Sequence, residues 1–396
     1  MKKNVCMIAY TNYPMDNRVR REAETLAALP DYKVIVFVPR EKKQTETYNL
    51  YGVEIRELNI VKYQGKSNLS YMLSYVKFMI SAFFAINGLL MKRRLDVVHI
   101  HNMPNFIIFS ALLPFMMGKK IVLDVHDTMI ETYTAKFKDK SSSGMFKVLI
   151  GALRLEEWIC CAMAHRVVCV NHVQKDALVK RGVSEKKIVI SINVPDPKVF
   201  PVSKQTAGAG HANNAFKLVY HGTLAKRLGI DMTIQAVAQL SSGIPGLEFH
   251  VIGGGDDMKA FIELSKELGV QDRIKFRKGV PLQEIASVVK SMDLGVISNR
   301  DNIASELMLP VKMLEYISMG IPVVAPRLKT IQYYFTDDMV FYFDPDNVQS
   351  LSRAIQYAYQ DMPTRLAKGE RAKSFLEQYG WDTHKQDLIS MYGSLG

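Results

Sequence analysis

Short apolar runs with the length and residue types of buried strands recur along the chain, each followed by a longer stretch with helical spacing. VCMIAY (5–10), VIVFV (34–38), VVHI (97–100), IVLDV (121–125), RVVCV (166–170) and IVISI (188–192) form one series. Most lack the polar alternation of a half-exposed strand, so both faces are covered, as in a parallel sheet carrying helices on each side. GVEIREL (52–58) adds a strand with alternation. A second series follows at 217–220, 247–252, 273–276, 294–298 and 323–325. Helices are expected from Arg18, over 69–91, 106–117 and 147–163, and then over 230–240, 258–268, 351–359, 365–379 and 381–392. Between the two series lies PVSKQTAGAGHANNA (201–215), which lacks large apolar residues and reads as a linker.

The expected architecture is α/β. A Rossmann-like N-terminal domain covers 1–200, a second covers 216–380, and a C-terminal helix over 381–396 packs back toward the first domain. Doubly wound sheets bind ligands off the C-terminal ends of their strands. Two such sheets facing each other place the site in the cleft between them.

A chain of 396 residues with 48% hydrophobic residues is long enough for two large cores. Its net charge of +12 favours anionic partners. The basic clusters are dispersed (Arg18/Arg20/Arg21, Lys92–Arg94, Lys119/Lys120, Lys226/Arg227), and no nucleic-acid-binding module accompanies them. Cys6, Cys160, Cys161 and Cys169 lie in apolar runs without metal spacing, which reads as reduced core thiols in a cytosolic protein. The N-terminus reads as a first strand rather than a signal peptide. The apolar stretch 69–91 has the length of a bilayer span, but Lys77 and Asn87 interrupt it and a strand follows at once. A buried core helix, an interfacial helix on an anionic leaflet and a true span all stay open. Lys62, Lys66 and Lys92–Arg94 suit the second.

The stretch ELMLPVKMLEYISMGIPVVAP (306–326) joins a loop, a short helix capped by Gly320 and a buried strand. Helix N-termini gather free amides that bind anions. Pro310 and Val311 sit at this N-terminus, and Lys312 and Glu315 offer a cation for phosphate and a carboxylate for sugar hydroxyls. The alternative is a surface ion pair. HGTLAKRLG (221–229) joins a strand to a helix. Its Gly222 and Thr223 permit close approach of a ligand, and Lys226 and Arg227 can neutralise a diphosphate. Gly253-Gly254-Gly255 follows a strand, but Met258 stands where a dinucleotide fingerprint needs glycine; Gly254 marks either close approach to a ligand or a tight turn. His126 ends a strand and can bond a sugar hydroxyl or accept a proton, or be structural. His99 reads as packed; His101 and Asn102, just past it, are better placed for ligand. Asp344-Pro345-Asp346 fits helix capping better than metal binding.

In order along the chain, YPMDNRVRREAETL, LDVVHIHN, VLDVHDTMIE, AHRVVCVN, SINVPDPKVF, VYHGTLAKRLGID, FHVIGGGDD, IKFRKGV, MDLGVIS and LPVKMLEYISMGIPVVAP resemble the motifs of the GT-B glycosyltransferases of retaining family 4. The likeness covers essentially the whole chain. It implies a nucleotide-diphosphate sugar held by the C-terminal domain and transferred with retention by front-face displacement, without a metal or other cofactor. Glu315 matches the second glutamate of the family's Glu-x7-Glu signature, which binds the ribose. Leu307 stands at the first, with Glu306 one position away. Lys226 and Arg227 resemble the diphosphate cations, Val311 and its neighbours the phosphate amides, and His126 the histidine near the transferred sugar. Asp16, Arg18, His101, Asn102 and Glu131 fall where an acceptor would bind. The expected partners are a nucleotide sugar, a lipid-linked or saccharide acceptor of surface-polysaccharide assembly, and an anionic membrane surface, but not nucleic acid. The expected location is cytoplasmic, peripheral on the inner face of the plasma membrane. A GT-B sugar-nucleotide epimerase and a non-catalytic GT-B scaffold are the rival readings.

Overall fold

The computed structural model of the protein describes residues 2–41, 45–63, 65, 67–137, 143–203, 215–279 and 282–395. Lys66 and most of the expected linker, 204–214, lie outside them. The chain divides into two compact units, Met1–Asn193 with His384–Gly396, and Val194–Thr383.

The first unit is built on β1 (Lys3–Ala9), β2 (Tyr32–Arg40), β3 (Thr47–Leu50), β4 (Val53–Val61), β5 (Val97–His101), β6 (Lys120–Val125), β7 (Arg166–Cys169) and β8 (Ile188–Ile190). They lie in the order β3-β4-β2-β1-β5-β6-β7-β8. Of these strands only β3, which pairs with β4, runs antiparallel. The connecting helices are α1 (Asn17–Ala27), α2 (Asn68–Met91), α3 (Leu112–Met116), α4 (Met129–Lys136), α5 (Gly144–Met163) and α6 (His172–Lys180). The continuous apolar strands are buried as their composition requires: Val5–Ala9, Val34–Val38 and Ile121–Val125 form the middle of the sheet.

The second unit contains β9 (Phe216–Thr223), β10 (Leu247–Gly254), β11 (Ile274–Arg277), β12 (Leu294–Val296), β13 (Val323–Pro326) and β14 (Phe341–Phe343). Their order, β11-β10-β9-β12-β13-β14, is the doubly wound 3-2-1-4-5-6 arrangement, parallel throughout. Its helices are α7 (Ile230–Leu240), α8 (Met258–Glu267), α9 (Leu282–Lys290), α10 (Val311–Ser318), α11 (Lys329–Tyr334), α12 (Val348–Gln360), α13 (Met362–Ala372) and α14 (Ser374–Tyr379). A last helix, α15 (Trp381–Gly393), crosses the division and lays Tyr392 in the first unit, where its hydroxyl lies 2.7 Å from His99 Nδ1.

Two helical expectations change. The apolar stretch 106–117 is a 3-10 turn, Asn105–Ala111, followed by the short α3. Pro114 has no amide hydrogen and tolerates only a first helical turn, and it sits in the first turn of α3. The helix expected at 365–379 starts at Met362, because Asp361 accepts from the Thr364 amide and Pro363 occupies the first turn, and it breaks at Lys373.

The stretch 69–91 is a single helix, long and apolar enough by composition to cross a membrane. Its inner face, Phe78, Ala82, Ile86 and Leu89, is part of the first unit's core. A crossing would take those side chains out of the sheet they cover. The opposite stripe, Leu69, Met72, Leu73, Ile80, Phe84 and Met91, is exposed.

Candidate active site

In the second unit the strand order reverses between β9 and β12, and the C-terminal ends of β9 and β10 carry the glycine loops. Gly222 has φ of 112° and Gly253 of 148°, conformations that side chains rarely adopt. A β-carbon on Gly253 would collide with the Gly222 carbonyl, and one on Gly255 with that of Leu224, so the two loops pack backbone to backbone. A β-carbon on Gly222 would come within 3.3 Å of Lys312 Nζ. Gly254, on the outer side of this contact, is exposed and accepts from the Leu224 amide at 2.9 Å. Thr223 is exposed, and its carbonyl accepts from Tyr220 Oη at 2.7 Å.

Pro310 precedes α10, so the amides of Val311 and Lys312 open the helix without acceptors inside it. One turn on, Glu315 turns Oε2 to His221 Nε2 at 2.6 Å, while its Oε1 makes no bond to the described residues. Lys312 Nζ lies over the Tyr220 ring, 3.7 Å from its centroid. Burial pushes the Lys312 ammonium down to about 7; Glu315 opposes the shift and Arg227 adds to it. Lys226 and Arg227 are exposed, with the Lys226 amide held by Asp257 Oδ2 at 2.8 Å. The structure thus gathers on one face two free helix amides, a desolvated ammonium, a carboxylate oxygen and side-chain-free loops. Two exposed cations border them. This arrangement is suited to a diphosphate bearing a ribose.

In the first unit, the end of β6 gathers a buried charged cluster. The Asp124 carboxylate accepts from Arg18 Nε at 3.0 Å and Nη2 at 2.6 Å. Its Oδ2 also lies 3.1 Å from His101 Nδ1 and 2.9 Å from His126 Nε2. Burial works against the Asp124 charge, but Arg18, His126 and the bonds from both histidines hold the carboxyl well below its usual range. Glu22, 3.6 Å from Arg18, is raised by burial and by Asp124. His99 is kept well below its usual value by burial and by His101. His126 is the partly exposed member, and its Nδ1 makes no bond to the described residues. Asp124 therefore orients the imidazole as a carboxylate orients a general base.

Glu22, His99, His101 and Asp124 could together face a metal ion, their ligand atoms lying within 4.8 Å of one another. Arg18 already supplies the cation there, bound by two nitrogens to the carboxylate a metal would need. Its Nη1 is anchored by the Ser191 carbonyl at 2.8 Å, so moving it aside would break a third bond.

The residues expected at the acceptor have other partners. Asp16 caps α1 by accepting from the Val19 amide at 3.1 Å. Arg18 and His101 belong to the Asp124 cluster and are almost fully buried. Asn102 Oδ1 accepts from the His126 amide at 2.8 Å, and its Nδ2 donates to Asn105 Oδ1 and to the Asp127 carbonyl. Glu131 is paired with Arg181 Nη1 at 2.5 Å, and Arg181 also binds Glu157. These side chains hold the His126 loop and its helices in place, and none of them is presented to a ligand. Glu306 accepts from the Lys329 amide at 2.7 Å, capping α11, so it does not substitute for the missing glutamate at Leu307. Asn347 caps α12 through Ser350, as its motif suggested. Sequence reasoning missed Asp124, Glu22, His221 and Tyr316. The only available signals were an aspartate inside the apolar run IVLDV and a histidine immediately before the glycine of a βα loop.

Residues 15–194 match the model of Glycosyltransferase Family 4, and residues 203–375 that of Glycosyl transferases group 1. The chain belongs to the family 4, group 1 glycosyltransferases. This glycosyltransferase is 25% identical over 298 residues to a component of the phosphatidylinositol N-acetylglucosaminyltransferase of Arabidopsis thaliana. The match covers 75% of the chain and 61% of that relative, so it spans less than two thirds of the relative's length. The fold is that of sucrose-phosphate synthase from Thermosynechococcus elongatus, with a TM-score of 0.79 at 16% identity over 100% of the chain and 99% of the other. It also matches Anabaena Alr3699/HepE, solved with UDP and glucose, with a TM-score of 0.69 at 13% identity over 99% and 100%. The architecture is GT-B.

Proposed function

We propose that this glycosyltransferase moves a sugar from a nucleotide-diphosphate donor to a lipid-linked acceptor, with retention of anomeric configuration. The observation that carries the donor half is the free oxygen of Glu315 one helical turn from the Lys312 ammonium and the open amides of α10. Glu315 Oε1 accepts from the ribose, and the glycine loops admit the diphosphate. Lys312, Lys226 and Arg227 neutralise the leaving group as its charge grows. Three cations and the amides supply the charge that a metal would otherwise provide. His126, oriented by Asp124, hydrogen-bonds the transferred sugar or its attacking hydroxyl. No carboxylate nucleophile is required for front-face displacement, and alignment of the reactants provides much of the rate.

The lipid-linked acceptor is supported by the exposed apolar residues of three helices in the first unit: Leu69, Phe84 and Met91 on α2, Met116 on α3, and Met145, Val148 and Trp158 on α5. Lys77, Lys92–Arg94, Lys147 and Arg154 are exposed on or beside the same helices. Apolar side chains with basic residues around them match an anionic lipid surface. The name of the Arabidopsis relative, which specifies a phosphatidylinositol substrate, agrees in chemistry. The location that follows from this reading is the inner face of the plasma membrane.

Two experiments test this. A thermal-shift panel of UDP-, GDP-, ADP- and CMP-sugars should give one stabilising set, which Glu315→Ala abolishes without lowering the unliganded melting temperature. Unchanged affinity in that variant removes Glu315 from the site. Flotation with phosphatidylglycerol vesicles should carry the protein upward at low salt, and Phe84→Ser with Trp158→Ser should leave it behind. A pool indifferent to anionic lipid and to salt refutes the membrane reading.

A further inference from the structure

Glu315 is one of several carboxylates on the second unit, and on a short helix it would be free to change rotamer. Its surroundings prevent this. The Tyr316 hydroxyl lies 3.1 Å from the His221 amide nitrogen and 3.0 Å from His221 Nδ1. The amide can only donate, so the hydroxyl oxygen accepts from it, and the single phenolic proton is left for Nδ1. Nδ1 is then an acceptor, and a neutral imidazole must carry its hydrogen on Nε2. That nitrogen faces Glu315 Oε2 at 2.6 Å. Tyr316 is itself fixed: it is fully buried, a β-carbon on Gly295 in β12 would collide with its ring, and its ring meets His221 edge-on at 5.0 Å between centroids. Burial raises the phenol well above its usual pKa, so the proton stays on the oxygen.

We infer that His221 is a positioning residue for donor recognition: Tyr316 and the strand backbone set its tautomer, and its Nε2–H holds Glu315 so that Oε1 faces the ribose. The inference rests on the ribose reading of Glu315 and adds what holds that carboxylate. The chain of bonds runs from the backbone of β9 through two side chains to the carboxylate. Strand β9 and helix α10 are thereby coupled, and the glycine loop that begins at Gly222 is tied to the same histidine.

The test compares UDP with 2′,3′-dideoxy-UDP, and GDP with 2′,3′-dideoxy-GDP, by calorimetry. The wild type should prefer one ribonucleotide over its dideoxy form, and Glu315→Ala should erase that preference. His221→Leu should reduce affinity for the ribonucleotide about ten-fold, the scale of one hydrogen bond to a charged group, while leaving the dideoxy form unchanged. A merely structural role would weaken both alike. His221→Gln, whose amide nitrogen can replace Nε2–H, should restore most of the preference. Tyr316→Phe, which leaves the imidazole in place but frees its tautomer, should give an intermediate loss. If Glu315→Ala erases the preference while His221→Leu and Tyr316→Phe keep it, the positioning role is refuted and the ribose reading stands. If the wild type binds ribo and dideoxy forms equally and Glu315→Ala changes nothing, the ribose reading falls and takes the positioning role with it.

Discussion

Replacing Lys312 with methionine should stabilise the unliganded protein and weaken its binding of nucleoside diphosphates. The ammonium lies against the Tyr220 ring and beside Arg227, and its pKa falls from 10.5 to about 7. At about 1.4 kcal/mol per unit, the ceiling on the folded-state penalty at neutral pH is about 5 kcal/mol. The side chain is only half-buried, so water screens part of this, and a net gain of roughly 1–3 kcal/mol is expected from Lys312→Met. A thioether packs well on an aromatic ring, so little contact is lost. For a unit the size of Val194–Thr383, each kcal/mol raises the melting temperature by about 2–4 °C. The pH dependence follows from the direction of the shift. Between pH 7 and 10.5 the unfolded chain holds a proton that the folded one has released, so wild-type stability rises with pH across this window. The advantage of Lys312→Met is therefore full below about pH 7 and gone above 10.5. Binding runs the other way. A diphosphate restores the charge on Nζ, so wild-type affinity should fall as pH climbs above 7, with proton uptake visible in calorimetry run in buffers of different ionisation enthalpy. Scanning calorimetry of both proteins from about pH 6 to about pH 10, with and without UDP or GDP, measures all of this. A variant that melts lower than the wild type at neutral pH, or binds UDP and GDP as tightly, refutes the reasoning.

Asp124→Asn should lower the melting temperature steeply, by about 3–5 kcal/mol in stability, because it leaves the buried Arg18 guanidinium uncompensated; denaturant unfolding would measure it. The Asp124 carboxyl is held below its usual range, so its contribution is present above the unfolded carboxylate pKa and lost as pH falls through its depressed folded value. The wild-type advantage over Asp124→Asn should accordingly disappear in acid. Gly229→Ala should cost at least about 1–2 kcal/mol: Gly229 has φ of 69°, and a β-carbon there would meet the Ser298 carbonyl, so a melting temperature equal to wild type would show that the β9–α7 loop opens easily.

Much of the donor side was legible because its parts are contiguous. Pro310, Lys312 and Glu315 lie within one helical turn or two of each other, and the helix N-terminus that exposes the amides is written in the same stretch. The acceptor side was not. Arg18, His101 and Asn102 are polar residues at strand ends or helix starts, where sequence alone reads them as facing a ligand. The structure bonds them to Asp124, Asn105 and the His126 loop.

By itself the sequence determined the two α/β series, the parallel character of their strands and the helix that carries Glu315. These depend on local periodicity and on burial of both sheet faces, and both are recorded residue by residue. Only the tertiary structure decided which side chains meet. Arg18 and Asp124 are 106 positions apart, and His221 and Tyr316 are 95 apart. Whether they touch depends on which strands are neighbours in the sheet and which way each helix faces. The two faces of α2 show the same limit: apolar residues lie all round the helix, and only packing on the sheet separates the buried Phe78 and Ile86 from the exposed Leu69 and Phe84.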